Sequence, residues 1–433
     1  MRVQGIPGVA LGVLRGGRPI YVRGFGVATL EQPVAVGPDT RFQIGSIGKQ
    51  FTAVAVMMLA REGRLSLDDP LAKYLPEIPA SWGAVTLRLM LNHQSGIPQL
   101  TAPGRDLLDL HHDYSDEEYL RLASTLPLDF EPGTDASYSD TAYVLLGFVI
   151  GRVAGKFYGD LLGARVFAPL HMLRTRIVSD ADIIPGRASG YQRTASGALR
   201  NQDYVSPALN RTADGSLYST VRDLARWDAA LYANDILPQR ELRRMWSVDA
   251  LRDGRQPLLH YGYGWEINSL RGHEVVEYDG NWQGFQAALA RYPDRGLTVI
   301  VLTNLALCRA QRLAHAVAGI FDPALARYPD AAPDAAPQRT ARFRALLAAA
   351  RSGALDPLAF SPAVRGRFGE AWRRSLARDL ASVGEIRGIR FVAEGAGAGE
   401  RVYRVELDQM VDYFTVREDD AGLIANIDLR HEY

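Results

Sequence analysis

The segment Phe42-Gln-Ile-Gly-Ser46-Ile-Gly-Lys49-Gln-Phe51 sets a hydroxyl and an amine three residues apart. On a helix that spacing puts both side chains on one face. A serine hydroxyl is a poor nucleophile until a neighbouring base takes its proton. A lysine amine serves as that base where burial or nearby charge makes it give up its own proton. The partial positive charge at a helix N-terminus favours the oxyanion that develops in acyl transfer. Lysine is scarce here: Lys49, Lys73 and Lys156 stand among 49 basic residues, the rest being arginines. Arginine keeps its proton in a protein and cannot replace lysine as a base. The plainer alternative is an N-cap serine beside a solvated lysine.

Two lookalike motifs fail. Gly48-Lys49 is followed by Gln50, and position 43 is Gln, so no phosphate-binding P-loop forms. Ile44 excludes the Gly-x-Ser-x-Gly elbow of α/β-hydrolases.

The elements that must hold these groups are legible from periodicity. Residues 8–14 and 18–24 run apolar or alternate around Arg15-Gly-Gly-Arg18, which predicts a β-hairpin. From Ser46 to Glu62 the spacing is helical, with Phe51, Val54, Ala55, Met58 and Leu59 on one face. Val56 and Met57 widen that face, which predicts a helix buried in the domain centre, with Gly63 as its C-terminal cap. Residues 65–235 read as helical segments broken by Pro and Gly: Leu87–Asn92, Asp116–Ser124, Thr141–Val153 and Thr220–Ala233. Residues 274–279, 284–291 and 297–304 read as strands and Arg309–Phe321 as a helix. Strands before and after a long helical insertion imply a mixed α/β layer with an all-α lobe inserted, and a site in the cleft between them.

The predicted division is a domain at 1–321 with the lobe at about 65–235, a Pro/Ala/Asp-rich linker at 322–339, and a small α+β domain at 340–433. In the last, helices are expected at Thr340–Ala350, with Thr340 as N-cap, and Gly366–Leu380. Strands are expected at Gly388–Ala393, Arg401–Leu407, Asp412–Arg417 and Leu423–Leu429.

Composition excludes several classes. Lys+Arg and Asp+Glu both number 49, so no basic excess points to nucleic acid. The apolar runs Ala142–Ile150 and Leu297–Leu302 are too short to be transmembrane segments. A single cysteine, Cys308, forbids an internal disulfide or a cysteine metal cage and reads as a small, partly buried residue. His111-His112 has no second ligand cluster, so no metal and no cofactor are expected. With no signal peptide ahead of the first strand, the chain as it stands reads as cytoplasmic; a missing upstream signal would make it periplasmic or secreted.

Several segments, in order, resemble the serine β-lactamase and penicillin-binding-protein family: class C β-lactamases, D-Ala-D-Ala carboxypeptidases and related esterases. They are the Ser46-x-x-Lys49 motif; Thr86-Leu-Arg-Leu-Met-Leu-Asn-His93-Gln-Ser-Gly96-Ile-Pro98; Phe130-Glu-Pro-Gly133 through Tyr138-Ser-Asp140 to Gly147; Ala213 through Trp227; and Tyr261-Gly-Tyr-Gly-Trp265 with Tyr278-Asp-Gly280-Asn-Trp282-Gln-Gly284-Phe285. The resemblance covers roughly residues 6–320. It implies the β-lactamase/transpeptidase-like α/β fold, an antiparallel sheet flanked by helices. It implies that Ser46 is acylated, that Lys49 and Tyr138 share its proton, and that Tyr138 passes it to the leaving group. An adjacent ammonium would have to lower the phenol's affinity for its proton. The backbone N–H groups of Ser46 and Asn281 would form the oxyanion hole. Asp140, Tyr278, Gly280 and Trp282 would contact a small or peptide-like ester or amide substrate. Trp82, Trp227 and Trp265 are expected in the core or cleft wall, and His93 as a loop brace.

Two positions depart from the family pattern. Its Tyr-x-Asn is Tyr138-Ser139-Asp140 here. An asparagine amide donates to a substrate carbonyl, whereas an ionised aspartate cannot. Asp140 would also pair with Lys49, blunt it as a base and repel substrate carboxylates. The family's Lys-Thr-Gly or His-x-Gly is Tyr278-Asp279-Gly280, which removes a cation and adds a negative charge. The expected activity is therefore hydrolysis of neutral esters or amides with weak or no β-lactamase activity. The alternative is an impaired member acting as a binding or regulatory module.

Overall fold

The computed structural model describes residues 4–102, 105–177, 182–326, 331–382, 384–395, 397–408 and 411–431. The chain divides into a compact unit of Ile6–Ala318 and a second made chiefly of Gly319–Tyr433. The first is built on a seven-stranded sheet in the order Glu266–Leu270, His273–Trp282, Phe285–Tyr292, Leu297–Thr303, Gly8–Arg15, Arg18–Thr29, Val34–Ala35. Neighbouring strands run antiparallel throughout, and Val9 lies opposite Thr303, so the N-terminal hairpin closes against the last strand of the unit. Leu297–Thr303 is buried at every residue, as a central strand covered on both faces must be.

Helices cover the two faces of this sheet. On one, Ala310–Phe321 brings His315 Nε2 to 3.1 Å from Glu277. On the other, Val221–Tyr232 approaches so closely that a Cβ at Gly12 would lie 2.5 Å from a Val221 methyl. The Lys49–Arg61 helix is buried from Lys49 to Leu59, in keeping with its wide apolar surface. Gly63 takes a φ of +69° just beyond it, which glycine adopts without strain.

The inserted lobe is mainly helical, with Leu87–Leu91, Asp116–Ala123 and Asp140–Ala154, but it is not all-α. Leu217–Ser219 pairs with Phe42–Gln43 and Arg176–Ile177, and Tyr191–Arg193 forms a hairpin with Leu199–Asn201. Strands of two or three residues are too short for an alternating pattern, which is why periodicity missed them. The edge strand Glu266–Leu270 was also unread; its half-exposed residues give little apolar alternation.

The second unit holds helices Pro337–Arg351 and Glu370–Ser382 and a four-stranded antiparallel meander, Ile386–Glu394, Glu400–Leu407, Val411–Glu418 and Ile424–His431. Its own core includes Phe343, stacked on Tyr403 with ring centroids 4.5 Å apart. One boundary moves into the predicted linker. The first helix starts at Pro337, inside the predicted linker, because proline fits a first helical turn that needs no N–H. Thr340 is therefore not the N-cap; its hydroxyl donates to Asp334 at 2.6 Å. Residues 327–330 of the linker lie outside the described residues.

Candidate active site

Ser46 lies in a 3-10 turn, Gly45–Gly48, that runs directly into the Lys49–Arg61 helix, rather than in the α-helix itself. In a 3-10 turn residues i and i+3 eclipse, which aligns Ser46 and Lys49 closely. Lys49 Nζ stands 3.0 Å from Ser46 Oγ. Gly45 makes the turn feasible: its φ is +52°, and a Cβ there would lie 2.7 Å from the Asn281 nitrogen.

Tyr138 arrives from the inserted lobe. Ser139 caps the Asp140–Ala154 helix by accepting from Ala142 N–H, so Tyr138 precedes the cap and Asp140 is the first helical residue. The Tyr138 and Ser46 hydroxyl oxygens are 2.7 Å apart. His93 holds this segment: its carbonyl accepts from Ser137 N–H at 2.9 Å, and its Nδ1 accepts from Ser139 N–H at 3.2 Å. Burial, then the Lys49 charge, push the His93 imidazole down to about 3, so it stays neutral. It packs between the rings of Tyr138 and Tyr261, and acts as a brace.

Asp140 pairs with Lys49 at 2.6 Å, with the lysine side chain fully buried and the aspartate 31% exposed. The same Oδ1 accepts from the Tyr138 hydroxyl at 2.9 Å. Burial works to raise the Asp140 carboxyl, but the Lys49 charge and hydrogen bonds from Lys49, Gln99 and Tyr138 hold it below its usual range. Tyr138 moves the other way. Burial, followed by the Asp140 charge, pushes its hydroxyl well above the usual phenol range. The phenol is therefore not acidified as expected: burial, with the Asp140 carboxylate adding to it, keeps its proton on.

Two partners were not anticipated. Gln99 clamps Asp140 from both ends, donating to Oδ2 at 2.6 Å and accepting from the Asp140 N–H at 2.7 Å. The Asp214 carbonyl accepts from Lys49 at 2.6 Å. The Asp214 carboxyl is pushed up to about 6, by burial first and then by the Asp140 charge, against the pull of Lys49. Gln99 follows Gly96-Ile-Pro98 with no chemical signature of its own, and a backbone acceptor carries no sequence signal at all.

On the sheet edge, Gly280 permits the closest approach. A Cβ there would lie 1.8 Å from the Ile44 carbonyl oxygen and 3.0 Å from the Ser46 nitrogen. The strand thus brings the Asn281 backbone beside the Gly45-Ser46 turn. Trp282 is partly buried, its indole N–H donating to Asn210 Oδ1 at 2.8 Å. Trp82, Trp227 and Trp265 are fully buried. Two expectations need correction. Tyr278 is 2% exposed and accepts from the Tyr261 hydroxyl at 2.9 Å, so it is enclosed in a phenol cluster and does not face an incoming molecule. Asp279 adds no charge to the pocket. Side chains alternate along a strand, so Asp279 joins Glu277 on the opposite sheet face, with Gln286 Nε2 at 3.5 Å. That alternation was the signal that could have placed it. Among the described residues, no group of three His, Cys, Asp or Glu side chains could hold a metal, and no helix is long and apolar enough to cross a membrane.

The chain is 29% identical over 303 residues to penicillin-binding protein 4* of Bacillus subtilis strain 168, covering 67% of this chain and 66% of that protein. It spans about three fifths to two thirds of the length of the first curated relatives it matches. The crystal structure of a D-stereospecific amidohydrolase from Streptomyces sp. is 28% identical with a TM-score of 0.59, covering 70% of this chain and 91% of that one. The octameric penicillin-binding protein homologue from Pyrococcus abyssi, 22% identical with a TM-score of 0.65, covers 100% of this chain and 96% of its own, and so shares the fold of both units. A beta-lactamase family model matches residues 1–319, and the chain belongs to that family of serine hydrolases.

Proposed function

We propose that the chain hydrolyses an ester or amide carbonyl through an acyl-enzyme on Ser46. One observation carries this reading: the Ser46 oxygen lies 2.7 Å from the Tyr138 hydroxyl and 3.0 Å from the Lys49 amine. That is hydrogen-bond reach for a nucleophile and its proton partners. Ser46 attacks, Tyr138 takes its proton, and Tyr138 returns a proton to the leaving group. Lys49 keeps positive charge beside the forming alkoxide. The backbone N–H groups of Ser46 and Asn281 receive the oxyanion. Gly280 and Trp282 border the acyl group.

The substrate is neutral near the scissile bond. Asp140, partly exposed, meets it with a carboxylate instead of an amide and disfavours the carboxylate of a penicillin or a D-Ala-D-Ala end. Efficient cephalosporin hydrolysis by the purified protein would contradict this. The second reading, an impaired member serving as a binding or regulatory module, draws on the 2.6 Å Lys49–Asp140 pair, which engages the lysine with a carboxylate. Intact-mass analysis after a fluorophosphonate or a short p-nitrophenyl ester separates the two. The enzyme gains one adduct that Ser46→Ala lacks; a module gains none at any pH.

A further inference from the structure

We propose that Asp140 is the terminal proton acceptor of acylation, reached from Ser46 through the Tyr138 hydroxyl. The inference rests on the serine-hydrolase reading above and assigns the base within it. It follows from a count of donors and acceptors.

Lys49 Nζ has three acceptors in reach: Ser46 Oγ at 3.0 Å, Asp140 Oδ1 at 2.6 Å and the Asp214 carbonyl at 2.6 Å. Filling all three takes the three N–H bonds of an ammonium, which has no lone pair to take a proton. Tyr138 has a single O–H. The carboxylate oxygen 2.9 Å away can only accept, so the phenol O–H points there. The phenol oxygen is then left to accept from the Ser46 hydroxyl 2.7 Å away. The protons therefore line up in one direction: Ser46 O–H to Tyr138, Tyr138 O–H to Asp140. Gln99 fixes the acceptor by holding its other oxygen and its backbone N–H.

The step balances. The Ser46 Oγ–carbon bond forms, and the carbonyl π pair moves onto its oxygen. The serine proton passes to Tyr138 as the tyrosine proton passes to Asp140, which becomes a neutral acid. On collapse, the bond to the leaving group breaks. The leaving group takes a proton from Tyr138, and Asp140 returns its own to the phenol. Lys49 stays charged throughout. An asparagine at this position could not receive the proton.

Acylation of Ser46 by p-nitrophenyl acetate, followed by intact mass between pH 4 and 10, tests this. The ionisable groups around Asp140 are Lys49 and Tyr138, with Asp214, His93 and Tyr119 acting at longer range. The wild-type rate should be flat across neutral pH and fall only as pH drops through the carboxylate range. Asp140→Asn should acylate about 10²-fold more slowly at pH 7, and its rate should climb with alkaline pH as another base is uncovered. Asp140→Glu should recover part of the loss. A wild-type rate that itself climbs steadily from pH 7 to 10 would overturn the proposal without need of a variant. So would an Asp140→Asn rate equal to or above wild type at pH 7, or an acidic limb that moves in Asp214→Asn but not in Asp140→Asn. If wild type forms no Ser46 adduct at any pH, the hydrolase reading falls and this one with it.

Discussion

Two buried cations in the same unit each meet an aspartate, and only one pair stands at the candidate active site. Arg291 Nε lies 2.7 Å from Asp228 Oδ1, with side chains 1% and 0% exposed. Thr298 donates to the same oxygen at 3.0 Å, and the guanidinium lies over the rings of Tyr232 and Trp246 at 4.8 and 4.7 Å. That pair is sealed, and its cation cannot release a proton. Lys49–Asp140 differs in two respects. Its aspartate is 31% exposed, and a hydroxyl and a phenol share the same two groups. A buried ion pair by itself therefore says little about chemistry. Access, and a transferable proton between the partners, make the difference.

The sharpest test breaks each pair at its cation. Lys49→Met should slow Ser46 acylation about 10³-fold, while urea unfolding shifts little, since water can reach the exposed part of Asp140. Arg291→Met should do the reverse: a loss of about 3–5 kcal/mol in unfolding free energy, because Asp228 is left charged in a dry enclosure, with the folded fraction still acylating. Similar stability losses in both variants would show that the two pairs do not differ in kind.

Smaller changes sharpen the contrast. Gln99→Ala frees the Asp140 carboxylate to turn, and about a tenfold fall in acylation rate is expected with the melting temperature nearly unchanged. An unaltered rate would remove Gln99 from the site. Thr298→Val deletes one hydrogen bond to Asp228 and should cost about 1 kcal/mol in unfolding without touching acylation.

A further test is a pH dependence. The Asp214 carboxyl is raised to about 6, so the folded state binds its proton more tightly than the unfolded chain does. Its contribution to stability is present at low pH and is lost as pH rises through about 6. Asp140, held below its usual range, has the opposite sign: its contribution is present above the ordinary carboxylate range and lost on acidification. Melting temperatures of wild type and Asp214→Asn should therefore converge near pH 4 and separate by pH 8, with the variant higher. Parallel curves would show that the carboxyl is not raised.

Much of this was legible in the chain. Ser46 and Lys49 are neighbours through local helical geometry, and three positions of spacing suffice to pair them. The buried Lys49–Arg61 helix follows from its wide apolar surface, and the hairpin Gly8–Arg15 with Arg18–Thr29 from its alternation about a glycine turn. Tyr138 lies 92 positions from Ser46, and only the likeness of several segments to a known family suggested it. Gln99 and the Asp214 carbonyl gave no signal, because an amide and a backbone oxygen gain meaning only from what they face. Asp279 and Tyr278 were read as residue types facing a pocket, when strand direction and enclosure send them elsewhere.

Side-chain chemistry and short-range periodicity are properties of the chain, so the sequence alone specified the candidate nucleophile, the scarce amine beside it and the helix that the amine begins. Proximity is a property of packing. Which of these groups meet among Ser46, Tyr138, Lys49 and Asp140 depends on distances set by the inserted lobe closing onto the sheet edge, and only the tertiary structure decided that.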